Sequence, residues 1–390
     1  MATIAFFFEV LMLLAAALLF VFFVRGTQGV PIPPEARGKR RGTVAGLSAV
    51  LIVEPGDDAE HAVAALLAQE YAKLEVVVAV CAGARLSEPA AARLEDDPRA
   101  TILELEATPA GWTRSNDAYV SGFRRTHHAN VLFVDANVLL RPDAAERAMA
   151  LARQRGIDLL TIFPALTATS WTERLMIPFF LQLTLSGVSL RKINDPDSAA
   201  AGGFAPFFLF RREVYEALGG HASVRADRFA DSVLAQLVKD RGYRLLVANG
   251  TELAVLQGQS RLADIWTSWA QSFNEVIDNS FKQAALLASL VLVLFALPWL
   301  LVVLAALKIA VSPEPVASSP WLGVVIIGGA NILVGILHRR SLCTLLAIDD
   351  SLALLQPLAA VITAGMIVGS TLHFEGSLFG RLTRGALVER

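Results

Sequence analysis

Long apolar blocks lie near both ends of the chain, and a central stretch carries shorter apolar runs. The first block, Ile4 to Val24, contains Glu9 as its only charge. It is long enough to cross a bilayer core of roughly 30 Å. No charged segment precedes it and no small-residue cleavage site follows it. The pattern therefore predicts a membrane helix rather than a cleaved signal peptide.

Three further apolar blocks predict membrane spans near the C-terminus. They cover Ala284 to Leu307, Trp321 to Leu337 and Leu352 to Leu372, and the last contains Gln356 and Pro357. One N-terminal helix and about three C-terminal helices are therefore expected, separated by a soluble-type domain.

Basic residues beside the first span predict its orientation. They follow the span directly, in a Pro-containing segment expected to be an extended linker, and are Arg25, Arg37, Lys39, Arg40 and Arg41. Because basic flanks mark the cytoplasmic side, the N-terminus is expected outside and the central domain inside. The side of the basic tail, residues 374–390, stays open.

In the first half of the central domain, apolar β-branched runs alternate with segments of helical periodicity. The predicted strands are 47–53, 74–83, 99–107 and 129–137, and the predicted helices are 57–70, 90–97 and 115–128. This alternation indicates βαβ units and a mainly parallel sheet. Ligands of such sheets bind beyond the carboxyl ends of the strands. Glu54, the turn 81–85 and Asp135 all fall there.

The second half of the domain contains a segment of ambiguous character. Residues 171–192 suit a helix lying in the membrane interface, anchored by Trp171 and by Arg191 and Lys192. A buried core helix is the alternative. Residues 199–220 predict a Gly-rich turn, a strand and a helix. Residues 229–248 predict a helix and a strand, and 261–277 an amphipathic aromatic helix.

Composition narrows the class of protein. The chain has 390 residues, 54% of them hydrophobic, and a net charge of −2, so nothing favours nucleic acid as a partner. Its two cysteines, Cys81 and Cys343, form neither a disulfide framework nor a metal-spacing motif, which fits a reducing compartment.

Several stretches, taken in order, resemble a known family. They are GWTRSNDAYVSG, ERLMIPFF, NDPDSAAAGGF, RRE and ADSVLAQLVKDRG. Together they are similar to the family 2 inverting glycosyltransferases of GT-A fold, most of all to the membrane-bound, hopene-associated HpnB group, relatives of ceramide glucosyltransferase. The resemblance covers about 47–277. It implies an α/β fold of GT-A type, a Rossmann-like mixed sheet, at 46–260. The accompanying segments are a span at 1–24, a linker at 25–45, an interfacial helix at 261–282 and spans at 283–373.

The resemblance also assigns roles to residues. Asp231, which opens a predicted helix, matches the general base of the family. Asp135 and Asn137 match its metal motif, which implies Mg²⁺ or Mn²⁺, held weakly or not at all because one carboxylate is replaced by an amide. Asp231 and Asp135 also suit ordinary capping and turn roles.

Other positions depart from the family pattern. In the first loop, Glu54 or Asp57 must take the place of the acidic residue of the family motif. The second strand ends in Val80, Cys81 and Ala82 instead of an Asp pair for the nucleotide. Gln271 stands where a basic residue is expected.

Besides Glu54 and Asp135 at the strand ends, four residues are candidate substrate contacts. Gly202 and Gly203 would let a substrate approach the backbone closely, although a simple turn explains them equally well. Trp112 is a candidate for stacking on a sugar, and Arg114 for contacting a phosphate. Ordinary surface positions explain both nearly as well.

The leading hypothesis is a multi-pass enzyme of a bacterial-type inner membrane. It would transfer a sugar from a nucleotide-sugar donor to a lipid acceptor, with a hopanoid type as one candidate, at the cytoplasmic face. The alternative is a catalytically impaired relative kept as a membrane scaffold or binding subunit. A transporter ranks third, because few ionisable residues lie in the spans. The sequence leaves the oligomeric state open.

Overall fold

The computed structural model describes residues 1–35, 45–204, 207–257, 280–313 and 315–371, and single residues between 262 and 277. The chain forms two compact units. The helical unit contains Met1–Gly26, Ala168–Ser189 and Gly258–Arg390. The sheet unit contains Thr27–Thr167 and Leu190–Gln257. Predictions for Arg37, Lys39, Arg40, Arg41, Gln271, most of 261–282 and the tail 374–390 lie outside the described residues.

Within the described part of the sheet unit, eight strands form one sheet in the order β3-β2-β1-β4-β7-β6-β8-β5. The strands are β1 (Leu47–Val53), β2 (Leu74–Val80), β3 (Ala100–Glu104), β4 (Asn130–Asp135), β5 (Val138–Leu140), β6 (Leu159–Leu166), β7 (Phe207–Arg211) and β8 (Leu245–Leu256).

The sheet is mixed. β1 pairs in parallel with both β2 and β4, β2 with β3, and β6 with β8. β7 runs antiparallel between β4 and β6, and β5 pairs antiparallel with β8. The predicted α/β class with a mixed sheet is confirmed. The narrower prediction of a mainly parallel sheet holds for the first half of the unit, where βαβ connections dominate.

Helices of the described residues follow in chain order. They are α1 (Ala2–Thr27), α2 (Glu60–Leu67), α3 (Glu88–Glu95), α4 (Arg114–Phe123), α5 (Ala144–Arg155), α6 (Trp171–Leu185), α7 (Leu190–Ile193), α8 (Arg212–Ala217), α9 (Gly220–Ser223), α10 (Ala230–Asp240), α11 (Phe281–Phe295), α12 (Leu297–Ala310), α13 (Leu322–Leu345) and α14 (Gln356–Thr371).

The central strands are buried along their whole length. Every residue of β1 is buried, and β2 is buried except at Glu75. Continuous apolar, β-branched runs of this kind are typical of strands covered on both faces. They hold the strand ends, and therefore the residues that follow them, in fixed positions.

Among the described residues, three helices of the helical unit are long and apolar enough to cross a membrane. They are α1, α13 and the segment Ala353–Thr371. A fourth predicted span, Ala284 to Leu307, is a pair of helices, α11 and α12, bent by 44° at the break between them. Pro298 lies in the first turn of α12. A proline is favoured there, and in a continuous helix it would remove one backbone hydrogen bond.

The segment 171–192 does not form one helix. α6 begins with a capping box, in which Ser170 and Glu173 satisfy each other's backbone N–H groups, and it ends at Leu185. Leu175, Met176 and Phe179 are fully buried within the helical unit, whereas Trp171 is 60% exposed. α6 therefore packs as a buried helix, the alternative reading of this segment. Arg191 and Lys192 belong to α7 of the sheet unit.

A buried arginine compensates for the proline inside α6. Pro178 has no N–H, so the carbonyl of Arg174, four residues earlier, loses its usual helical donor. Nη2 of Arg339, on α13, donates to this carbonyl at 2.8 Å and to that of Leu175 at 3.3 Å. The Arg339 side chain is fully buried. It supplies the hydrogen bond that the proline removes.

The one charge of the first predicted span, Glu9, is also buried. Its Oε2 accepts a hydrogen bond from Nδ2 of Asn331 on α13 at 3.3 Å. Ionisable groups within spans are expensive and normally face a polar partner. The pair ties α1 to α13.

The start of the predicted linker is tied to the sheet unit. The carbonyl of Pro31 accepts the backbone N–H of Asn249 at 2.8 Å. The guanidinium of Arg147 donates to the carbonyls of Pro33 and Pro34. This described part of the linker is therefore fixed, because three of its carbonyls are held by the sheet unit.

Candidate functional site

A cavity of about 530 Å³ opens at the carboxyl ends of β1 and β4, beside the first turns of α4 and α10. Its lining combines apolar side chains with several charged ones. Four acidic residues line it, Glu54, Asp135, Asp227 and Asp231, together with two basic residues, Arg114 and Arg228. Strand ends of a parallel sheet are where the sequence predicted a ligand site, and the cavity lies there.

Glu54 is held by the turn that follows β1. Its backbone N–H donates to Oδ2 of Asp57 at 2.8 Å, and Gly56 adopts the positive φ of 95° that this turn requires. The Glu54 carboxylate accepts a hydrogen bond from the Ser115 hydroxyl at 3.1 Å. The first loop therefore offers the cavity one oriented carboxylate from Glu54, while Asp57 shapes the turn.

Asp135, the last residue of β4, is bonded to a buried tyrosine. The Tyr119 hydroxyl, on α4, donates to its carboxylate. Burial raises the pKa of Asp135 to about 7, the Tyr119 hydrogen bond opposes that rise, and the negative charge of Glu54 adds to it. Burial also raises the pKa of Tyr119 well above its ordinary value, so Tyr119 remains a donor. The Asp135 carboxyl therefore changes charge near neutral pH.

Asn116 fixes the loop that closes one side of the cavity. The side-chain Nδ2 of this buried residue donates to the carbonyls of Val224 and Asp227, both at 2.9 Å. The neighbouring backbone N–H of Thr113 donates to the carbonyl of Arg225 at 2.7 Å. The start of α4 thereby positions Asp227 and Arg228 on the cavity wall.

Asp231 lies in the first turn of α10. Its Oδ1 accepts the backbone N–H of Ser232 at 2.8 Å. Gly203 lies close by: a Cβ built there would be 3.3 Å from the Asp231 carbonyl and 2.5 Å from the Phe208 ring. The absence of a side chain at Gly203 is therefore what allows this loop to approach the helix that carries Asp231.

The end of β2 carries no charge. Cys81 is buried, and its thiol lies 4.0 Å from the Arg114 carbonyl as a weak donor. Burial raises the pKa of this thiol to about 12. The position where the resemblance expects a carboxylate pair for the nucleotide is occupied by a neutral, apolar group.

The structure places the predicted site residues in two groups. Four of them line the cavity, namely Glu54, Arg114, Asp135 and Asp231; four are not among its lining residues, namely Trp112, Asn137, Gly202 and Gly203. Asn137 is exposed in the turn between β4 and β5, and its carbonyl accepts the backbone N–H of Gln257. A Cβ at Gly202 would lie 3.0 Å from Ile193, so that position is crowded by the protein itself.

Several cavity residues were not singled out from the sequence. They are Asn116, Tyr119, His221, Asp227 and Arg228. Asn116 and Tyr119 are three residues apart and therefore share one face of α4. That spacing was the available signal. Residues 221–228 belong to the cavity wall because they contact α4, a helix about a hundred residues earlier in the chain.

Among the described residues, no group of side chains is arranged to hold the expected divalent metal. Nowhere in the described residues do three or more His, Cys, Asp or Glu side chains come together in a group able to hold a metal ion. Asp135 is engaged by Tyr119, and Asn137 is not among the residues that line the cavity. Hard cations need several oxygen ligands, and these two residues do not supply them together.

Comparisons with known proteins do not assign the chain to a family. No family model matches the chain. No curated protein matches it. One similar solved structure is the mannosyltransferase PcManGT from Pyrobaculum calidifontis in complex with GDP-Man and Mn²⁺. The match covers 97% of this chain and 95% of that one, with a TM-score of 0.45 and 15% identity. Similarity at this level assigns no activity to this chain, so function is argued below from the cavity.

Proposed function

We propose that the protein is a membrane-bound inverting glycosyltransferase of GT-A type, which transfers a sugar from a nucleotide-sugar donor to the hydroxyl of a lipid. One observation carries the proposal. A single cavity at the strand ends collects the carboxylates of Glu54, Asp135 and Asp231 beside the guanidinium groups of Arg114 and Arg228. Carboxylates bind sugar hydroxyls, and guanidinium groups bind phosphate oxygens.

Each residue of the cavity has a separate role in an inverting transfer. Asp231 accepts the proton of the acceptor hydroxyl while the oxygen of that hydroxyl forms a bond to the anomeric carbon of the donor sugar. The bond from that carbon to the diphosphate oxygen breaks on the opposite side, so the configuration inverts. Arg114 and Arg228 stabilise the charge that develops on the leaving diphosphate. No step depends on a metal ion.

The membrane supplies the acceptor in this proposal. Three helices among the described residues could cross a bilayer, and Arg25 at the end of α1 supports a cytoplasmic sheet unit. A lipid hydroxyl at the cytoplasmic face of a bacterial-type inner membrane is therefore the proposed acceptor, with a hopanoid type as one candidate.

A matched pair on α10 tests the role of Asp231. Full-length protein in detergent or nanodiscs is incubated with UDP- and GDP-sugars and a total bacterial lipid extract, with and without Mn²⁺, and glycolipid formation is followed. Loss of a general base costs about 10²- to 10⁴-fold in rate, so Asp231→Asn should lose nearly all activity. Asp240→Asn, at the exposed far end of the same helix, should retain it. Equal activity in the two variants would refute the role of Asp231.

A second candidate is the non-catalytic scaffold. It is favoured by the engagement of Asp135 with Tyr119, by the neutral Cys81 and by the lack of a metal donor set among the described residues. This candidate predicts that Asp231→Asn complements a deletion strain fully. A strain carrying Asp231→Asn that behaves like the deletion would instead support the enzyme.

A further inference from the structure

An aromatic cluster at the cavity contains a buried histidine. His221, in α9, is 3% exposed. Its ring stacks on Tyr119, with centroids 4.5 Å apart, and lies edge-on to Phe133 at 5.0 Å. Phe133 and Asp135 point to the same face of β4, because side chains alternate along a strand. His221 therefore lies on the side of the sheet that carries Asp135.

Tyr215 determines where the His221 ring carries its proton. The Tyr215 hydroxyl oxygen accepts the backbone N–H of His221 at 3.0 Å, and the same hydroxyl lies 2.8 Å from Nδ1. A tyrosine hydroxyl has one proton to donate, and Nδ1 is its only acceptor among the described contacts. The Tyr215 proton has an acceptor only when Nδ1 is unprotonated, and this arrangement puts the proton of the neutral ring on Nε2.

The ring also stays neutral. Burial lowers the pKa of His221 to about 3, so the imidazole carries no charge at physiological pH. Among the described residues, the one side-chain hydrogen bond of His221 joins Nδ1 to Tyr215, and Nε2–H makes none. Some buried side-chain atoms are inaccessible to solvent and lack a hydrogen-bond partner, and Nε2 of His221 is not one of them. Because His221 lines the cavity, this N–H is available to a bound molecule.

Two glycines make the arrangement possible. Gly219 and Gly220 have φ values of 78° and 51°, which residues with side chains rarely adopt. A Cβ at Gly220 would lie 2.3 Å from the Tyr215 ring. The stretch YEALGGH, residues 215–221, therefore builds the tyrosine–histidine pair as a local unit.

We propose that the Nε2–H of His221 donates a hydrogen bond to a hydroxyl oxygen of the donor sugar, and that Tyr215 is the positioning residue that fixes this tautomer. The inference rests on the proposed function. A sugar hydroxyl can accept from Nε2–H while it donates to the Asp135 carboxyl. A diphosphate in the same place would present only acceptor oxygens and could not donate to the Asp135 carboxyl. The sugar end of the donor therefore belongs at His221, and the diphosphate at Arg114 and Arg228.

Binding measurements separate a sugar contact from a general structural role. Full-length protein in detergent is titrated calorimetrically with UDP, UDP-glucose, GDP and GDP-mannose. His221→Met should weaken binding of the nucleotide-sugar by about tenfold, the worth of one hydrogen bond to a buried donor. Binding of the nucleoside diphosphate should not change. His221→Gln keeps an N–H near Nε2 and should bind the nucleotide-sugar within about threefold of the wild type.

The outcomes distinguish the two proposals. If both His221 variants bind the nucleotide and the nucleotide-sugar more weakly and to the same extent, His221 has only a structural role. Unchanged nucleotide-sugar binding by His221→Met would also remove the inference while leaving the proposed function intact. If the wild-type protein binds none of the four ligands, the proposed function fails and the inference fails with it.

The tautomer itself is measured without any ligand. Full-length protein labelled with ¹⁵N-histidine is studied by solid-state NMR, and His221 is assigned from the signal that disappears in His221→Gln. We expect a protonated Nε2 and an unprotonated Nδ1 in the wild type, and a mixture of tautomers in Tyr215→Phe. A protonated Nδ1 in the wild-type protein would overturn the inference even if sugars bind.

Discussion

Replacing Asp135 by Asn should stabilise the protein, and more strongly as the pH rises. In the folded chain the pKa of Asp135 is raised from 3.8 to about 7, mainly by burial. Between these values the folded state binds more protons than the unfolded state, so stability falls as the pH rises from about 4 to about 7. An Asn of the same shape carries no charge, accepts the Tyr119 hydrogen bond and escapes this penalty.

The magnitude follows from the two pKa values. Their difference is worth about 4 kcal/mol at 1.36 kcal/mol per pH unit, and the full penalty is present at pH 8. At pH 5 the carboxyl of Asp135 is mostly protonated in the folded state, and the penalty is about 2 kcal/mol. For a unit of this size, Tm should rise by about 5 °C at pH 5 and by about 10 °C at pH 8.

The assay is thermal unfolding of the full-length protein in detergent with EDTA, between pH 5 and pH 8. Asp240→Asn, which removes a carboxylate from an exposed position on α10, is the matched control and should show no such trend. A gain in Tm for Asp135→Asn that does not grow with pH, or a loss of Tm at pH 8, would refute the reasoning about burial.

Three other perturbations have defined outcomes. Asn116→Ala should weaken nucleotide binding and lower the free energy of unfolding by about 2 kcal/mol, because buried loop carbonyls lose their donor; chemical denaturation measures this, and an unchanged value would contradict it. Arg339→Met should cost less stability in a Pro178→Ala background than in the wild type, by about 1 kcal/mol in a double-mutant cycle, because the new N–H can bond the freed carbonyl; zero coupling would contradict the compensation. Cys81 should react with iodoacetamide at pH 7.5 only after unfolding, as followed by mass spectrometry, because burial raises its pKa to about 12; rapid labelling of folded protein would contradict this.

The parts of the fold that could be predicted are those encoded by local pattern. The continuous apolar runs of β1, β2 and β4 fixed both the strands and their common carboxyl edge, so Glu54 and Asp135 were expected together. α5 and β5 were not predicted. The break between α11 and α12 interrupts a uniform apolar run, and Pro298 was its only local signal.

The rest of the site depends on contacts distant in sequence. Asn116 is a site residue because its amide holds carbonyls in 224–227, and no spacing rule reveals that. In the sequence, nothing distinguishes His221 from the other histidines; the contacts of its ring with Tyr119 and Tyr215 become visible only in the structure. Asn137 follows Asp135 by two residues, but β4 ends at Asp135, and the turn places Asn137 outside the cavity.

The strand order constrains how the chain can be made. β7 pairs with both β4 and β6 and is the link between the two halves of the sheet. In the sequence, β7 comes after the segment Ala168–Ser189, which belongs to the helical unit. During synthesis the sheet therefore cannot close until the ribosome has already produced α6. Deleting α6 to obtain a soluble fragment would shorten the connection on which closure of the sheet depends, so the two units are not separable by a single cut.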